Sequence, residues 1–327
     1  MMSGAKKMVP KRRFKEFLNA GDWEQCKLGD LLILLKDGSH GTHKNTSEGV
    51  YLLSAKNIKN GRINIMPDDR IISWDDYNVI HKNYELQIGD ILLTIVGSIG
   101  ETAIYNLKMK VTFQRSVAFL RPNSKLKNGF LYTLINTDRF QNQLQTKQVV
   151  SAQPGIYLGD LASINITYPK NVSEQEKIYN IFKGIEDCIT LHQRKLDKLQ
   201  ATKKALLQEM FPEECQDKPK RRFKGFTDAW EQRKLSEVTT CFDNLRVPVT
   251  ASDRVPGKIP YYGANGIQDY VSGHTHSGEF VLIAEDGAND LNDYPIQYVN
   301  GAIWVNNHAH VIAGYKEKLE NKFLSYS

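Results

Sequence analysis

The chain has 327 residues, of which 41% are hydrophobic and 24% charged, a composition that is typical of a globular protein and excludes a largely disordered one. No apolar run reaches the ~18 residues that a membrane helix needs, no apolar segment follows the basic N-terminus as in a secretory signal, and the four cysteines form no CxxC pair. We therefore expect a cytoplasmic protein without a membrane anchor, a disulfide framework or a cysteine-rich zinc site. The net charge of +6 is compatible with nucleic-acid binding and equally with a slightly basic soluble protein.

A repeated segment organises the chain. The N-terminal segment, residues 1–28, ends in KRRFKEFLNAGDWEQCKL, and residues 220–235 read KRRFKGFTDAWEQRKL. The KRRFK letters recur at an offset of 209 and the WEQ letters at 207, because two residues are missing between them in the second copy. Chance does not account for a match of this length and order. The sequence therefore predicts two related units that each begin with this segment.

The region after each copy is predicted to form a module of mixed α and β structure. Residues 29–170 and 236–327 contain short apolar runs flanked by turn residues, which are typical of strands: LLILL, IVGSIG and SVAFL in the first region, FVLIA and GAIWV in the second. Helices are predicted over residues 129–146 and from Lys316. At an offset of 193, Asn128, Phe130 and Leu131 match Asn321, Phe323 and Leu324. Because this alignment ends at the counterpart of residue 134, the second module is predicted to be incomplete.

Residues 171–219 are predicted to contain one long helix. Ser173 and Glu176 have the spacing of a capping box, and Pro212 ends the helix after Phe211. The 39 residues from Ser173 to Phe211 would form a helix of about 58 Å. Residues spaced alternately four and three apart along this helix form a mostly apolar seam, which predicts a coiled coil. The alternative is a helix that lies on a globular core. The seam consists of Ile178, Phe182, Ile185, Ile189, His192, Leu196, Leu199, Lys203, Leu206 and Met210.

These features together resemble the DNA-specificity (S) subunits of type I restriction–modification systems, here in a C-terminally truncated form. The resemblance covers the chain from Val9 onward. It is carried by the order of the two KRRFK and WEQ segments, DGSHGT, YLLSAKNIKNGRI, GDILLTIVGSIGETAIY and the SEQEKI letters at the start of the long helix. The resemblance implies an α/β fold with two target-recognition domains separated by a long coiled-coil helix.

The resemblance also implies a function without catalysis. Each target-recognition domain would read one half of a bipartite sequence in double-stranded DNA, while methylation subunits and motor-nuclease restriction subunits bind the frame. The sequence agrees, because it contains no [NDS]-P-P-[YF] methyltransferase motif, phosphate loop or glycine-rich cofactor loop; this disfavours a fused methylase–specificity enzyme, and no cofactor is expected. The alternative is a truncated assembly or dimerisation protein that does not read DNA. A homodimer through the long helix is expected in either case.

Several loops of the first module carry polar residues that suit DNA contacts. Arg can pair with guanine, Gln and Asn with adenine, and Ser, Thr, His and Lys can contact phosphates or base edges. Plain surface loops and a turn between strands at Gly97–Gly100 are the alternatives; the histidines are disfavoured as metal ligands because a zinc site needs four ligands. The candidates are His40, Thr42, His43, Lys44, Lys56, Asn57, Ser98, Gln114 and Arg115.

The second module offers fewer candidates, chosen by their alignment with the first. They are Asn265, Asn289, Asn307 and His308. The basic run at residues 218–224 is interpreted as a solvated linker or a backbone contact rather than as a base reader.

Overall fold

The computed structural model describes residues 9–149, 154–291 and 293–326. Residues 1–8 of the predicted N-terminal segment lie outside the described residues, as do residues 150–153 of the first predicted module and residues 292 and 327 of the second. The chain divides into two compact units, residues 1–192 and 193–327, and the division falls within one long helix. The predicted domain boundaries themselves stay predictions.

The first unit combines strands and helices in the order expected of an α/β module. Its strands are β1 (Glu24–Lys27), β2 (Leu32–Asp37), β3 (Val50–Leu53), β4 (Ile58–Lys59), β5 (Arg62–Ile63), β6 (Arg70–Ile72), β7 (Ile91–Thr94), β8 (Thr102–Ile104), β9 (Val111–Phe113), β10 (Val117–Pro122) and β11 (Asn165–Tyr168). Its helices are α1 (Trp74–Ile80), α2 (Asn128–Ile135), α3 (Asp138–Thr146) and α4 (Leu158–Ala162), followed by the start of α5 (Val172–Met210).

Two sheets form the centre of the first unit. One has the order β2-β10-β7-β8 and is antiparallel throughout, and the other has the order β6-β3-β9 with β3 and β9 parallel. Strand β7 is buried on both faces, which explains its continuous apolar run. One core cluster packs β7 and β10 against α2 and α3, and a second packs the other face of the same strands against β3 and β9.

Helix α5 has the predicted length of 39 residues, but it begins and ends one residue earlier than the sequence predicts. The predicted capping box is wrong. Asn171 is the cap, because its Oδ1 accepts hydrogen bonds from the amides of Ser173 at 2.9 Å and Glu174 at 3.4 Å. Along the predicted seam, Ile178 packs on the first core, whereas Ile185 and Leu196 are 51% and 48% exposed.

The second unit is dominated by one six-stranded sheet. After α6 (Leu235–Val238), its elements are β12 (Thr239–Cys241), β13 (Pro256–Gly263), β14 (Gly266–Val271), β15 (His276–Ala284), β16 (Ile296–Val305), β17 (Ala309–Gly314) and α7 (Asn321–Leu324). The strand order is β12-β17-β15-β16-β13-β14. Its core includes Phe280, Leu282, Val299, Val305 and Val311.

Both units share one topology, as the sequence repeat predicts. The order β2-β10-β7-β8 in the first unit corresponds to β12-β17-β15-β16 in the second. The parallel pair of β3 with β9 corresponds to the parallel pair of β13 with β16, so the long β16 takes the places of both β8 and β9. Helix α2 corresponds to α7, where Leu131 and Leu324 are both buried.

Some predicted elements differ in extent. The helix expected over residues 129–146 is interrupted at Asn136 and Thr137, where Thr137 caps α3 by accepting from the amide of Phe140. The IVGSIG run is the turn between β7 and β8 rather than a strand, and Gly97 and Gly100 adopt positive φ there. The helix expected from Lys316 is only the short α7. Within the described residues, no helix has both the length and the apolar character needed to cross a bilayer.

Candidate nucleic-acid interface

The candidate residues of the first unit meet at one end of its central sheet. Strand pairing joins the end of β2, the start of β10 and the end of β7, because Asp37 lies opposite Ala118 and Thr94 lies opposite Val117. Strands β3 and β9 of the second sheet end at the same place, where Gln114 donates its amide to Leu53 O at 2.8 Å. We call the loops that follow these strand ends, residues 37–44, 54–56, 95–100 and 114–116, the first loop cluster.

Backbone hydrogen bonds hold the first loop cluster together. Ser39 donates its amide to Phe113 O at 2.8 Å, and Arg115 donates to Ser39 O at 2.9 Å. Ser116 joins two further loops, because its Oγ accepts from the amide of Ala55 at 3.0 Å and its O accepts from the amide of Ile95 at 2.9 Å. Loops that are far apart in sequence therefore present their side chains from one shared scaffold.

Glycine is required at residue 38 of this scaffold. A Cβ atom at Gly38 would lie 2.2 Å from the carbonyl oxygen of Phe113 and 2.3 Å from that of Gln114, both of which are backbone atoms. Only a residue without a side chain allows the loop after β2 to approach the turn after β9 this closely.

The histidines of the loop after β2 differ in their roles. His43 is largely buried, and its ring bonds to Ser39 Oγ at 2.6 Å and Asp76 Oδ1 at 3.1 Å. The hydrogen bond from His43 is the main cause that lowers the pKa of Asp76. His40 is exposed and pairs with Asp37 at 2.6 Å. His43 thus fixes the conformation of the loop, and His40 remains at the surface.

Asn57 is a correction to the candidate set. Its side chain is 1% exposed and donates to Asn64 O and Asp69 Oδ2, while its Oδ1 accepts from the amide of Ser54. An amide that is buried and fully used in this way cannot reach a base edge. Its neighbour Lys56 is exposed but pairs with the buried Asp69 at 2.8 Å, which raises the pKa of Lys56.

The remaining candidates of the first unit are available at its surface. Thr42, Lys44, Ser98 and Arg115 are exposed, and Gln114 is half-buried. Across the described part of the chain, the side chains of these five residues make no hydrogen bond or ion pair. Two of them, Lys44 and Arg115, are therefore cations that have no ion-pair partner among the described residues.

The four candidates of the second unit also come together. Asn265 Nδ2 donates to Gly287 O at 2.8 Å, and Asn265 Oδ1 accepts from the amide of Asn289 at 2.9 Å. His308 bonds to Asp286 Oδ1 at 2.5 Å, and its carbonyl oxygen accepts from the amide of Glu285 at 3.0 Å. We call residues 264–266, 285–290 and 306–308 the second loop cluster; within it, Asn289 and Asn307 are exposed.

Arg246 anchors the second loop cluster through an ion network. Its guanidinium contacts Glu285 at 2.5 Å and Asp243 at 3.4 Å, and it also donates to Asn307 O. His310 bonds to Asp243 at 2.5 Å, and the ligand atoms of Asp243, Glu285 and His310 lie within 4.8 Å of one another. Because Arg246 already pairs with both carboxylates, its positive charge opposes a metal cation at this cluster.

Sequence reasoning missed the residues that position the loops. Ser39, Asp76, Ser116 and Arg246 make no readable motif, and each has at least one partner that lies more than 30 residues away in the chain. Arg70 is a further example, since it donates to the carbonyl oxygen of His43 and to Asn45 Oδ1. The one available signal was the pair of glycines at 38 and 41 that flank a histidine.

Comparisons with known proteins agree with this architecture. A family model described as the type I restriction modification DNA specificity domain matches residues 20–201 and 227–327. A putative type I restriction enzyme specificity subunit of Haemophilus influenzae is 60% identical over 94 residues, which are 29% of this chain and 24% of that protein. The MjaVIII specificity subunit of Methanocaldococcus jannaschii is 25% identical over 200 residues, 57% of this chain and 44% of that protein.

The fold is also found in a solved structure. The S subunit of the type I restriction–modification system from M. genitalium superposes with a TM-score of 0.59 over 93% of this chain and 76% of that chain, at 17% identity. The chain spans less than half the length of each of these two curated relatives. With the family model covering both units, the chain belongs to the family of type I restriction–modification DNA specificity domains.

Proposed function

We propose that this protein is the sequence-specific DNA recognition subunit of a type I restriction–modification complex. In this role it reads a bipartite target in double-stranded DNA, with one half read by each module, and brings methylation and restriction subunits to that site. Because its substrate is the DNA of the cell, its compartment is the cytoplasm. The protein contributes recognition, and the chemistry belongs to its partners.

The observation that carries this proposal is the composition of the first loop cluster. Lys44 and Arg115 have no internal counter-charge among the described residues, and both are exposed beside Thr42, Ser98 and Gln114. Cations of this kind bind phosphates, and arginine and glutamine side chains can also form two hydrogen bonds to one base. A scaffold fixed by backbone hydrogen bonds holds these side chains without a large loss of conformational freedom on binding.

The two loop clusters are expected to contribute unequally. Three carboxylates, those of Glu285, Asp286 and Asp290, belong to the second loop cluster. Because carboxylates repel phosphates, this cluster can approach DNA only through its neutral amides, such as Asn289 and Asn307. The first module therefore supplies most of the salt-dependent affinity.

The long helix supports the proposal of a homodimer. Ile185, Ile189 and Leu199 of the seam are 51%, 64% and 57% exposed. A row of large apolar side chains at heptad spacing is typical of a helix that pairs with another helix. Two chains paired in this way would carry two first modules, and such a dimer would favour a palindromic bipartite site. The alternative, an assembly protein that dimerises without reading DNA, would use the same seam, but the match of both regions to the specificity domain favours DNA recognition.

A salt-dependent DNA-binding assay tests the proposal. The double variant Lys44→Ala/Arg115→Ala should bind DNA more weakly in the presence of the methylation subunit, and the slope of log affinity against log salt should fall by about 2 for two lost phosphate contacts. Arg139→Ala is the control for the loss of a surface charge, because Arg139 is exposed on α3, outside the first loop cluster, and its side chain makes no hydrogen bond or ion pair with the described residues. Unchanged binding by the double variant would favour the assembly protein.

An exchange of modules tests the division of the target. Replacing residues 29–168 with those of another family member should change one half of the methylated sequence and leave the other half and the spacer unchanged. Sequencing of modified DNA gives the result directly. If both halves keep their sequence, the first module does not read DNA.

A further inference from the structure

Side chains of the first copy of the repeated segment bind the start of helix α5 through the carboxylate of one residue. Arg13 Nε and Nη2 donate to the two oxygens of Glu174, each at 2.7 Å, and Trp23 Nε1 donates to Glu174 Oε1 at 3.2 Å. Glu174 lies in the first turn of α5, and its side chain is 1% exposed. A planar guanidinium that binds both oxygens of a carboxylate forms a strong and directional contact.

The second copy has the same guanidinium orientation without the carboxylate. Arg13 Nη1 donates to the carbonyl oxygen of Gly21, two residues before Trp23, and Arg222 Nη1 donates to the carbonyl oxygen of Asp228, two residues before Trp230. Throughout the described ranges, no acceptor bonds to Nε or Nη2 of Arg222 or to Nε1 of Trp230. The three donors of the second copy that correspond to those binding Glu174 therefore have no acceptor among the described residues.

The apolar part of the segment is uncovered in the same way. Phe17 is 7% exposed and lies under the Lys177 ammonium at 5.6 Å, whereas the equivalent Phe226 is 66% exposed. Phe226 and Trp230 line a groove of about 700 Å³, whose other wall is the last part of α5, including Leu206 and Met210. The groove therefore has apolar walls and lies beside the guanidinium of Arg222, whose Nε and Nη2 have no described acceptor.

We propose that this groove is a receptor for the N-terminus of a helix that carries a glutamate in its first turn. The glutamate would bind Arg222 and the indole N–H of Trp230, and an apolar side chain four residues later, as Ile178 follows Glu174, would lie in the groove. Three observations define this occupant: the positive charge of Arg222, the three donors without a described acceptor, and the binding of Glu174 by the equivalent donors of the first copy. The inference does not depend on DNA recognition by either module.

Peptide binding to the full chain tests the proposal. The probe is a peptide of residues 169–186, labelled at its C-terminus and held helical by a side-chain link between positions 180 and 184, both of which are exposed in α5. Fluorescence anisotropy should show saturable binding. The E174Q peptide should bind roughly tenfold to a hundredfold more weakly, because it loses the charge-assisted hydrogen bonds.

Variants of the protein complete the test. Arg222→Ala should weaken binding to a similar extent, and Lys224→Ala, which removes the same charge from an exposed neighbour without a described contact, should leave binding unchanged. The R222E protein should prefer an E174R peptide over the original one. Absence of binding up to millimolar peptide, or equal binding of the E174 and E174Q peptides, would overturn the proposal. The comparison of the two peptides uses the unsubstituted protein, so it tests the proposal even if a variant protein does not fold.

Discussion

Trp230 packs edge to face on Phe323, with ring centroids 5.6 Å apart and an interplanar angle of 62°. Trp23 and Phe130 make the same contact in the first unit, at 6.0 Å and 74°. The tryptophans are separated by 207 residues in the sequence and the phenylalanines by 193, so each contact survives a different spacing along the chain. In each unit the repeated segment therefore packs on the equivalent helix, α2 in the first and α7 in the second. This contact makes the segment a structural part of each module rather than a linker.

The buried pair of Arg13 and Glu174 is expected to be important for the stability of the first unit. Glu174→Gln leaves the guanidinium buried without its counter-charge and should destabilise the unit by on the order of 3–5 kcal/mol. Urea denaturation gives the free energy of unfolding. Glu176→Gln is the control, because Glu176 is exposed and its pair with Lys127 is expected to contribute only about 0–1 kcal/mol. Equal effects of the two substitutions would mean that Arg13 finds another acceptor.

The close approach at Gly38 predicts a coupled loss of stability and DNA affinity. In Gly38→Ala the new methyl group must displace the backbone of Phe113 or Gln114, which should cost about 1–3 kcal/mol and separate the loops of the first cluster. Thermal unfolding and the DNA-binding assay measure the two effects. Gly159→Ala is the control: it meets no atom within 4 Å in α4 and should be neutral or slightly stabilising. Full DNA affinity in Gly38→Ala would show that the loop conformation does not matter for binding.

The long helix was predictable because its signals are local. The capping-box pattern and a proline place its ends within one residue, but the predicted capping residue, Ser173, was wrong, because Asn171 is the cap. The letters SEQE suggest a capping box, in which Glu176 folds back on the helix. In the folded chain that helix end is fixed instead by Glu174, whose partner Arg13 lies 161 residues away. A local pattern cannot reveal a contact of this range.

The candidate interface was predictable only in part, for the same reason. Loops after strand ends were identified from turn residues, and strand order brings four of them together. Which side chain faces solvent depends on tertiary partners, so Asn57 and His43 read as surface residues although they hold loops in place. The roles of the exposed residues in DNA contact stay predictions.

Burial of His276 predicts that acid destabilises the second unit. The ring is 2% exposed, and desolvation lowers its pKa below the ordinary value of 6.5, while Nε2 bonds to Phe242 O at 3.0 Å. The unfolded chain binds a proton at about pH 6.5, where the folded ring stays neutral, so this contribution to stability is complete above that pH and decreases below it.

Two histidine variants isolate this effect. His276→Gln should show a smaller loss of thermal stability between pH 7 and pH 5 than the unsubstituted chain. His274→Gln, at an exposed position two residues away, should keep the full loss. Because each variant lacks only one titrating group of the unsubstituted chain, the difference between His276→Gln and that chain reports on His276. Identical pH profiles would show that the folded ring is protonated as easily as the unfolded one.

The exposed seam of α5 predicts self-association that can be removed without unfolding the first module. Ile185 and Leu196 are 51% and 48% exposed, and burying the remaining half of such side chains in a helix pair is favourable by about 1 kcal/mol each. Ile185→Asp/Leu196→Asp should therefore convert a concentration-dependent dimer into a monomer in sedimentation velocity, with the unfolding of the first unit unchanged.

A matched pair of substitutions separates the seam from the added charge. Asn180→Asp/Gln200→Asp introduces the same two negative charges at exposed positions of α5 outside the seam and should leave the dimer intact. A seam variant whose first unit melts at lower temperature would place the helix in the core of that unit instead. If the unsubstituted chain sediments as a monomer throughout the micromolar range, the seam is covered by another surface, and the homodimer is wrong.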